Sequence, residues 1–441
     1  MSAGSPDSSA AVLRRRISRG GRELVWVALG QTAYLAGVFA GMKLFTHWLP
    51  QEEYGRLALG LSIAGLASLF TFGPIGQAIL RYFAVHRDDG TLPLYFHAIA
   101  RSLLQAVILI GATAALAALL LGSLLEPGWR ILLLGAAGFA IVAGLGDSLN
   151  YLSIARRWRP YTAFYQGAGT WLRILLAAAA VALAGTAGHW VLVGYTLGAG
   201  LSLLPLAAAF SKAGDLHAWR RSRAEPAERL QAATRELRGY AAPFFLFAGF
   251  AAISLYADRW VIQSFLGEAQ VGLFFAVMQI ANAPLALFFG ILSQAVVPVV
   301  FDRIGRAKRG GTDTRLLQLS VFAALPIVAL MLALGFAFDA AIIRLLTTPD
   351  YATVPGLLGL CMLSYALFHL GQLLVTRGLA QQRPAAYFWP KALQAVSFLA
   401  LAPFFIQAWR LPGVAWALCA SSALYLASVL LVNRRLAGAR T

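Results

Sequence analysis

Twelve apolar stretches, each longer than 20 residues, follow one another along this chain of 441 residues. A helix needs about 20 predominantly apolar residues to cross a hydrocarbon core of about 30 Å. Lipid offers the backbone no hydrogen-bond partners, so spanning segments are helices or closed barrels, and barrel strands would be about 10 residues of alternating pattern. Charged residues make up 12% of the chain, against about 25% in a soluble domain. We therefore predict an all-α membrane protein. The predicted spans cover residues 24–47, 56–83, 95–122, 130–152, 161–184, 189–210, 240–266, 271–301, 315–337, 355–379, 387–409 and 412–433.

The basic residues alternate between the two sides of the predicted membrane. The formal net charge is +18, and one set of loops carries most of the arginines. These are Arg14, Arg15, Arg16, Arg19, Arg22, Arg87, Arg156, Arg157, Arg159, Arg220, Arg221, Arg223, Arg303, Arg306, Lys308, Arg309, Arg383, Arg434 and Arg435. The opposite loops carry only Arg130, Arg344 and Arg410 as exceptions. The positive-inside rule then places both termini in the cytoplasm, and no nucleic-acid partner is predicted.

Two short motifs recur at nearly half the chain length. Glu53-Tyr54-Gly55 and Gln270-Val271-Gly272 open the second span of each half, 217 positions apart. Arg159-Pro160 and Arg383-Pro384 precede the fifth span of each half, 224 positions apart. Two landmarks at nearly one period indicate an internal duplication. Six spans is an even number, so the halves have the same orientation and form a parallel repeat of two six-helix lobes.

The duplication sets the predicted domain boundaries. A basic cytoplasmic N-terminus (1–22) precedes an N-terminal six-helix lobe (23–210), and a C-terminal lobe (240–433) precedes a cytoplasmic tail (434–441). Between the lobes lies a cytoplasmic linker (211–239) with seven basic residues. Residues 225–237 of the linker have the composition of an amphipathic helix at a membrane surface, or of a solvated charged connection.

Two stretches carry a family resemblance. Residues 48–83 read WLPQEEYGRLALGLSIAGLASLFTFGPIGQAILRYF, and residues 256–300 read YADRWVIQSFLGEAQVGLFFAVMQIANAPLALFFGILSQAVVPVV. They are similar to the first-to-second and seventh-to-eighth helices of bacterial polysaccharide flippases. That superfamily also holds multidrug extruders and the peptidoglycan lipid flippase. The resemblance implies alternating-access flipping of an undecaprenyl-pyrophosphate-linked oligosaccharide for O-antigen, capsule or exopolysaccharide. It further implies a place in the bacterial inner membrane and a role in lipopolysaccharide-type biosynthesis, with a polysaccharide polymerase and glycosyltransferases as partners.

Charged residues inside the spans are the candidate substrate-cavity residues: Arg173, Arg259, Asp258 and Lys43. Arg173 lies roughly 18 Å from either end of its span at 1.5 Å per residue, too far to reach the interface easily. A charge at the bilayer centre costs about 2.5–3.5 kcal/mol and usually faces a polar interior. Binding to carbonyls of neighbouring helices is the alternative. Asp258 and Arg259 point about 100° apart and need not pair with each other.

Lys43 occupies nearly the same height in the first span as Arg259 does in the seventh. Basic residues at matching heights in both halves would suit a two-sided anion site, with snorkelling to the surface as the alternative for Lys43. Nearer the cytoplasmic helix ends, the candidate inner-vestibule residues are Arg81, Arg101, Asp147 and Arg377. The intramembrane His97 and His369 are interpreted as hydrogen-bonded packing residues.

Nothing in the sequence predicts an enzyme, a cofactor or a metal site. There is no P-loop, no metal-ligand spacing and no nucleophile elbow. Cys361 and Cys419 lie within apolar runs and are predicted to be buried thiols. Two other functions remain open. A cation-coupled multidrug exporter would need carboxylates in its cavity, for which Asp147 and Asp258 are the candidates. A non-transporting scaffold would have a packed, dry centre.

Overall fold

The computed structural model describes residues 6–120, 124, 126–306, 315–381 and 383–438, and within them it contains helices and no strand. The predicted basic residues Lys308 and Arg309 lie outside the described residues. The helices of the first part are α1 (Pro6–Trp48), α2 (Gln51–Phe70), α3 (Phe72–Asp88), α4 (Leu92–Leu120), α5 (Pro127–Ala155), α6 (Arg159–Gln166), α7 (Ala168–Ala184) and α8 (Gly188–Lys212). The helices that follow are α9 (Asp215–Arg221), α10 (Ala227–Leu266), α11 (Glu268–Arg306), α12 (Arg315–Ala337), α13 (Asp339–Leu346), α14 (Leu357–Ala380) and α15 (Phe388–Gly438).

The described helices account for twelve membrane crossings. Nine are long and apolar enough to span on their own, and two bent pairs bring the number to eleven. The last of the nine, Pro384–Leu436, has 53 residues. At 1.5 Å per residue it is about 80 Å long, more than twice the hydrocarbon core. It also contains a kink at Arg410, where φ is 51°. It therefore counts as two crossings, which confirms the predicted number.

Proline explains the first bent pair. The break between α2 and α3 bends the chain by 42°. Pro74 follows Phe70 by four positions, so its ring would clash with the Phe70 carbonyl and its missing N–H leaves that carbonyl unbonded. The second bend, 47° between Phe245 and Phe247 in α10, follows Pro243.

The chain divides into two compact units. Unit 1 holds residues 6–41 and 63–245, and unit 2 holds residues 42–62 and 246–438. In unit 1, α7 packs along α8, and α5 packs against both α8 and α3. In unit 2, α14 packs between α11 and the long α15. The end of α1 and the first half of α2 belong to unit 2, whereas the sequence prediction assigns them to the N-terminal lobe. The lobe boundaries stay a prediction.

The linker segment forms α9 and the first part of α10. The first part of α10 buries Ala233, Thr234, Leu237 and Ala241, which follow one another at helical spacing, and Leu230 on the same face is half-buried. The opposite face is polar and exposed. A helix with one buried stripe packs by that stripe alone, so this segment is held by unit 1 along one side.

Candidate functional site

In unit 1, Arg173, Asp147 and Tyr165 form one polar cluster inside the apolar helices. The Tyr165 hydroxyl donates to the Asp147 carboxylate at 3.0 Å. The Arg173 guanidinium carbon lies 5.3 Å from the centre of the Tyr165 ring. Asp147 is exposed at the surface of unit 1, and Arg173 is half-buried. The buried Nε of Arg173 has no hydrogen-bond partner among the described residues. The cluster thus combines a held carboxylate with a guanidinium that can still donate.

Glycines hold Arg173 in place by letting α8 approach α7 closely. A Cβ on Gly198 would overlap the backbone of Arg173, and a Cβ on Gly194 would overlap the backbone of Ala177. These two glycines are four residues apart, so they lie on one face of α8. The small-residue spacing is a familiar means of close helix packing in membranes. The Arg173 backbone is therefore fixed, and its side chain alone is free to adjust.

In unit 2, Asp258 and Arg259 point in different directions, as their adjacent positions on α10 require. Asp258 is 7% exposed, and its Oδ1 has no hydrogen-bond partner among the described residues. It interacts electrostatically with Tyr365 of α14. Arg259 donates through Nη1 to the Ala58 carbonyl at 3.3 Å, and its guanidinium carbon lies 4.5 Å from the Phe275 ring centre. The Arg259 Nε is also buried and finds no hydrogen-bond partner in the part of the chain that the structure describes.

Arg259 lies beside a close crossing of α2 and α11. A Cβ on Gly55 would lie 3.1 Å from the Gly272 amide nitrogen, and a Cβ on Gly272 would lie 2.9 Å from the Gly55 amide nitrogen. Arg56 of α2 forms an ion pair with Glu268 of α11 at 2.5 Å. The Gln279 amide donates to the Tyr54 hydroxyl at 3.2 Å. The two glycines of the sequence repeat therefore meet at this crossing.

Lys43 binds a helix end. Its ammonium donates to the carbonyls of Arg344 at 3.3 Å, Leu345 at 2.9 Å and Thr347 at 2.7 Å. The last carbonyls of a helix have no partners within that helix, and a cation is favoured there. The structure thus gives Lys43 of α1 the role of a cap for α13, which differs from the predicted anion contact. Lys43 and Arg259 contact different parts of unit 2.

We predict that Lys43→Met destabilises unit 2 without removing function from the molecules that fold. Methionine keeps the length of the side chain and loses the three donated hydrogen bonds. Hydrogen bonds from a charged group contribute about 1.5–3 kcal/mol, and solvent exposure of Lys43 favours the lower figure. The measurement is the thermal unfolding midpoint of the purified protein, with the exposed Lys212→Met as the matched control. Unchanged stability with lost activity would instead restore the anion role.

The structure distributes the predicted inner-vestibule residues over both units. Arg81 is exposed on α3, and Arg101 is exposed on α4. Arg377 is half-buried near the end of α14. Asp147 belongs to the Arg173 cluster. Of the set, Arg101 has other arginines near it, because it lines a cavity together with Arg235 and Arg238 of α10.

Two further polar groups, Lys391 and His369, lie within the helices of unit 2. The Lys391 ammonium lies 4.3 Å from the Phe368 ring centre and 4.6 Å from the Tyr425 ring centre, and it donates to Gln394 at 3.3 Å. His369 contacts the Asn282 side-chain oxygen at 3.1 Å and stacks on Phe289. Lys391 has no acid near it in the sequence, and its aromatic partners are far from it along the chain, Phe368 on α14 and Tyr425 beyond the kink of α15, so no local pattern could have indicated these contacts.

A mostly buried ion pair connects the linker to unit 1. Arg156 pairs with Asp215 at the start of α9, and its guanidinium lies over the rings of Phe83, Trp158 and Phe210. Burial raises the pKa of the Asp215 carboxyl, and the Arg156 guanidinium opposes that rise. The aromatic rings accept a cation on their faces, which compensates part of its lost hydration. The pair therefore fixes where the linker leaves α8.

Comparison with solved structures shows the fold. An inward-facing multidrug resistance MATE family transporter of the MOP superfamily aligns with a TM-score of 0.65 and 14% identity, over 94% of this chain and 98% of that one. The lipid II flippase MurJ, in an inward closed conformation, aligns with a TM-score of 0.63 and 14% identity, over 93% of this chain and 87% of that one. The MATE and MurJ structures have a fold of twelve helices in two lobes, and this chain shares that fold.

One family model matches the chain at the level of sequence. The model is described as polysaccharide biosynthesis protein, and the match covers residues 22–303. That range includes Arg173, Asp147, Asp258, Arg259 and both glycines of the α2–α11 crossing. A search of curated protein sequences found no match.

Proposed function

Since this chain belongs to the polysaccharide biosynthesis protein family, we propose that it is a flippase for an undecaprenyl-pyrophosphate-linked oligosaccharide. It is a multi-pass membrane protein with helices over both compact units. In this proposal it works by alternating access in a bacterial inner membrane, with both termini in the cytoplasm. Its product would supply O-antigen, capsule or exopolysaccharide assembly, where glycosyltransferases act before it and a polymerase after it.

One observation carries the proposal: each unit holds an arginine in an apolar helix, stacked on an aromatic ring, with a buried Nε that makes no hydrogen bond in the described residues. Arg173 has this arrangement in unit 1 and Arg259 has it in unit 2. A guanidinium is planar, always charged and suited to bidentate bonds with phosphate or carboxylate. The substrate class offers both groups, in its pyrophosphate and in acidic sugars.

The local contacts explain how such an arginine could bind and release an anion. The Tyr165 hydroxyl donates a hydrogen bond to Asp147, so the Tyr165 oxygen can still accept hydrogen bonds from other groups. Arg173 lies against the same ring and is balanced by the nearby carboxylate. An entering phosphate would compete with Asp147 for Arg173, which limits affinity and allows the headgroup to leave. The polyprenyl chain would stay in lipid while the headgroup crosses.

The proposal is tested by transport in cells that lack their own flippase. Expression of this chain should restore surface polysaccharide in a strain that makes a compatible lipid-linked oligosaccharide, measured by gel or by surface labelling. The Gly55→Leu variant, which should not fold, is the negative control: it shows whether expression of the chain alone restores polysaccharide. Full-level expression in the membrane without restored polysaccharide, across several glycan backgrounds, would contradict the proposal.

Asp147 favours one alternative, a cation-coupled multidrug exporter. It is an exposed carboxylate within an apolar helix, which could bind a proton, a sodium ion or a cationic drug. The same strains answer this question. A change in drug susceptibility that Asp147→Asn removes, with no change in surface polysaccharide, would favour the exporter over the flippase.

A further inference from the structure

Three adjoining cavities along α4 of unit 1 share their lining residues and form one groove. The first, of about 440 Å³, is lined by Arg101 and by α10 residues from Gln231 to Ala242. The second, of about 320 Å³, shares Arg238 and Ala242 with the first. The third, of about 360 Å³, shares Phe70, Thr71 and Leu109 with the second. We call this surface the α4 groove.

One end of the α4 groove is strongly basic. Its lining there holds Arg101, Arg235 and Arg238 beside Gln231 and Thr234, and no acidic side chain of the described residues lines it. All three arginines are exposed. Arg238 also donates to Gln105, which fixes its guanidinium beside the apolar part. Glu236, the acidic residue next to them in the sequence, interacts electrostatically with Tyr82 of α3. This end therefore has an unbalanced positive charge and several hydrogen-bond donors.

The rest of the α4 groove is apolar. Ala106, Leu109 and Ile110 follow one another along α4, and the groove ends near Ala117. Phe70 and Ile75 form one wall, and Phe245 forms another. From Gln105 to Ala117 the groove is about 18 Å long at 1.5 Å per residue. One leaflet is about 15 Å deep, half of the hydrocarbon core. The apolar part thus matches one chain of an ordinary membrane lipid.

We propose that the α4 groove binds one anionic phospholipid, with its phosphate among Arg101, Arg235 and Arg238 and one acyl chain beside Ala106 and Leu109. The basic end complements a headgroup with a net negative charge, whereas the ammonium group of a zwitterionic headgroup offsets its phosphate and would lie close to the arginines. A polyprenyl chain is far longer than the groove, which ends at Ala117. This inference concerns a second lipid and does not depend on which substrate the protein moves.

The bound phospholipid would connect the first part of α10 to α4. Arg235 and Arg238 lie on the first part of α10, and Arg101 lies on α4. The first part of α10 also contacts α4 through the Arg238–Gln105 hydrogen bond and α3 through the Tyr82–Tyr240 ring pair. A phosphate between the arginines removes their mutual repulsion and links both helices. The phospholipid should therefore stabilise unit 1 as well as bind to it.

The test is native mass spectrometry of the purified full-length protein with phosphatidylglycerol and with phosphatidylcholine. The wild type should bind one phosphatidylglycerol about tenfold more tightly than phosphatidylcholine. The combined variant Arg101→Gln, Arg235→Gln and Arg238→Gln should lose about tenfold in phosphatidylglycerol affinity. Arg229→Gln is the matched control, because Arg229 is exposed on the same helix and does not line the groove. It should stay within about twofold of wild type.

A second variant tests the apolar part separately. Ala242→Trp keeps all three arginines and fills the groove where its basic and apolar parts meet, so it should also weaken binding. Wild-type affinity in both variants overturns the proposal, as does equal binding of the two phospholipids. Glycerol phosphate is the competitor that detects a simple anion site. If it displaces phosphatidylglycerol at equal concentration, the groove does not recognise a lipid chain and the proposal is overturned. Displacement by polyprenyl phosphate at much lower concentration would assign the groove to the transported lipid.

Discussion

Alanine at Gly272 is expected to destabilise the protein, and leucine there to prevent folding. At the crossing of α2 and α11 a Cβ on Gly272 would overlap the Gln51 carbonyl oxygen, and a Cβ on Gly55 would overlap the Glu268 carbonyl oxygen. These neighbours are backbone atoms and cannot rotate away as a side chain can. The helices would have to separate, which also weakens the Arg56–Glu268 ion pair.

The opposing effects can be compared in size. Replacing glycine by alanine inside a helix gains about 1 kcal/mol in helix propensity. Overpacking a well-packed contact costs about 1–3 kcal/mol, and the backbone position of the clash favours the upper end. The net effect of Gly272→Ala is therefore a loss, and the Gly55→Ala, Gly272→Ala double variant loses more. Both glycines lie in unit 2, and for a unit of about 200 residues a change of about 2–4 °C per kcal/mol gives a decrease of several degrees in its thermal unfolding midpoint.

The same helix offers a control. Gly290 of α11 has open space where a Cβ would lie, so Gly290→Ala should be neutral or slightly stabilising. Unfolding can be followed with a thiol-reactive dye, because Cys361 and Cys419 are both free and buried. A midpoint for Gly272→Ala at or above that of Gly290→Ala would show that the two helices are not in backbone contact in the folded protein.

The sequence predicts the helices well because lipid leaves the backbone few choices. Length and apolarity alone indicate all twelve crossings, including the two that meet at Arg410 inside one continuous run. The repeat also identifies Gly55 and Gly272 as corresponding positions. That these glycines contact each other could not be predicted, since correspondence in sequence carries no information on which helices cross.

The directions of the charged side chains follow less well from the sequence. Height in the membrane can be counted in residues, and by height Lys43 matches Arg259. Lys43 instead reaches the end of α13, about 300 positions later in the chain, which no local pattern indicates. For Asp258 and Arg259 the helical angle correctly predicts separate neighbours. Arg173 is recognisable as costly in lipid, but its partners Asp147 and Tyr165 come from two other helices.

Replacing Arg173 or Arg259 with alanine is expected to reduce restored surface polysaccharide by about tenfold or more in the flippase-deficient strain. A buried charge-assisted hydrogen bond contributes about 1.5–3 kcal/mol, and about 1.4 kcal/mol corresponds to a factor of ten. Lysine at either position keeps the charge and loses the planar, bidentate geometry, so Arg173→Lys and Arg259→Lys should give intermediate levels. The measurement is polysaccharide per unit of protein in the membrane.

Each variant has a control within its own unit. Arg87 of unit 1 is exposed and pairs with Asp88, and Arg344 of unit 2 has an exposed side chain, so alanine at either should leave transport near the wild-type level. The thermal unfolding midpoint of each variant separates a loss of transport from a loss of folding. If folded Arg173→Ala and Arg259→Ala proteins transport as well as the controls, neither arginine binds the headgroup. The anion contact must then be sought elsewhere, with Arg101 and Arg377 as the next positions to replace.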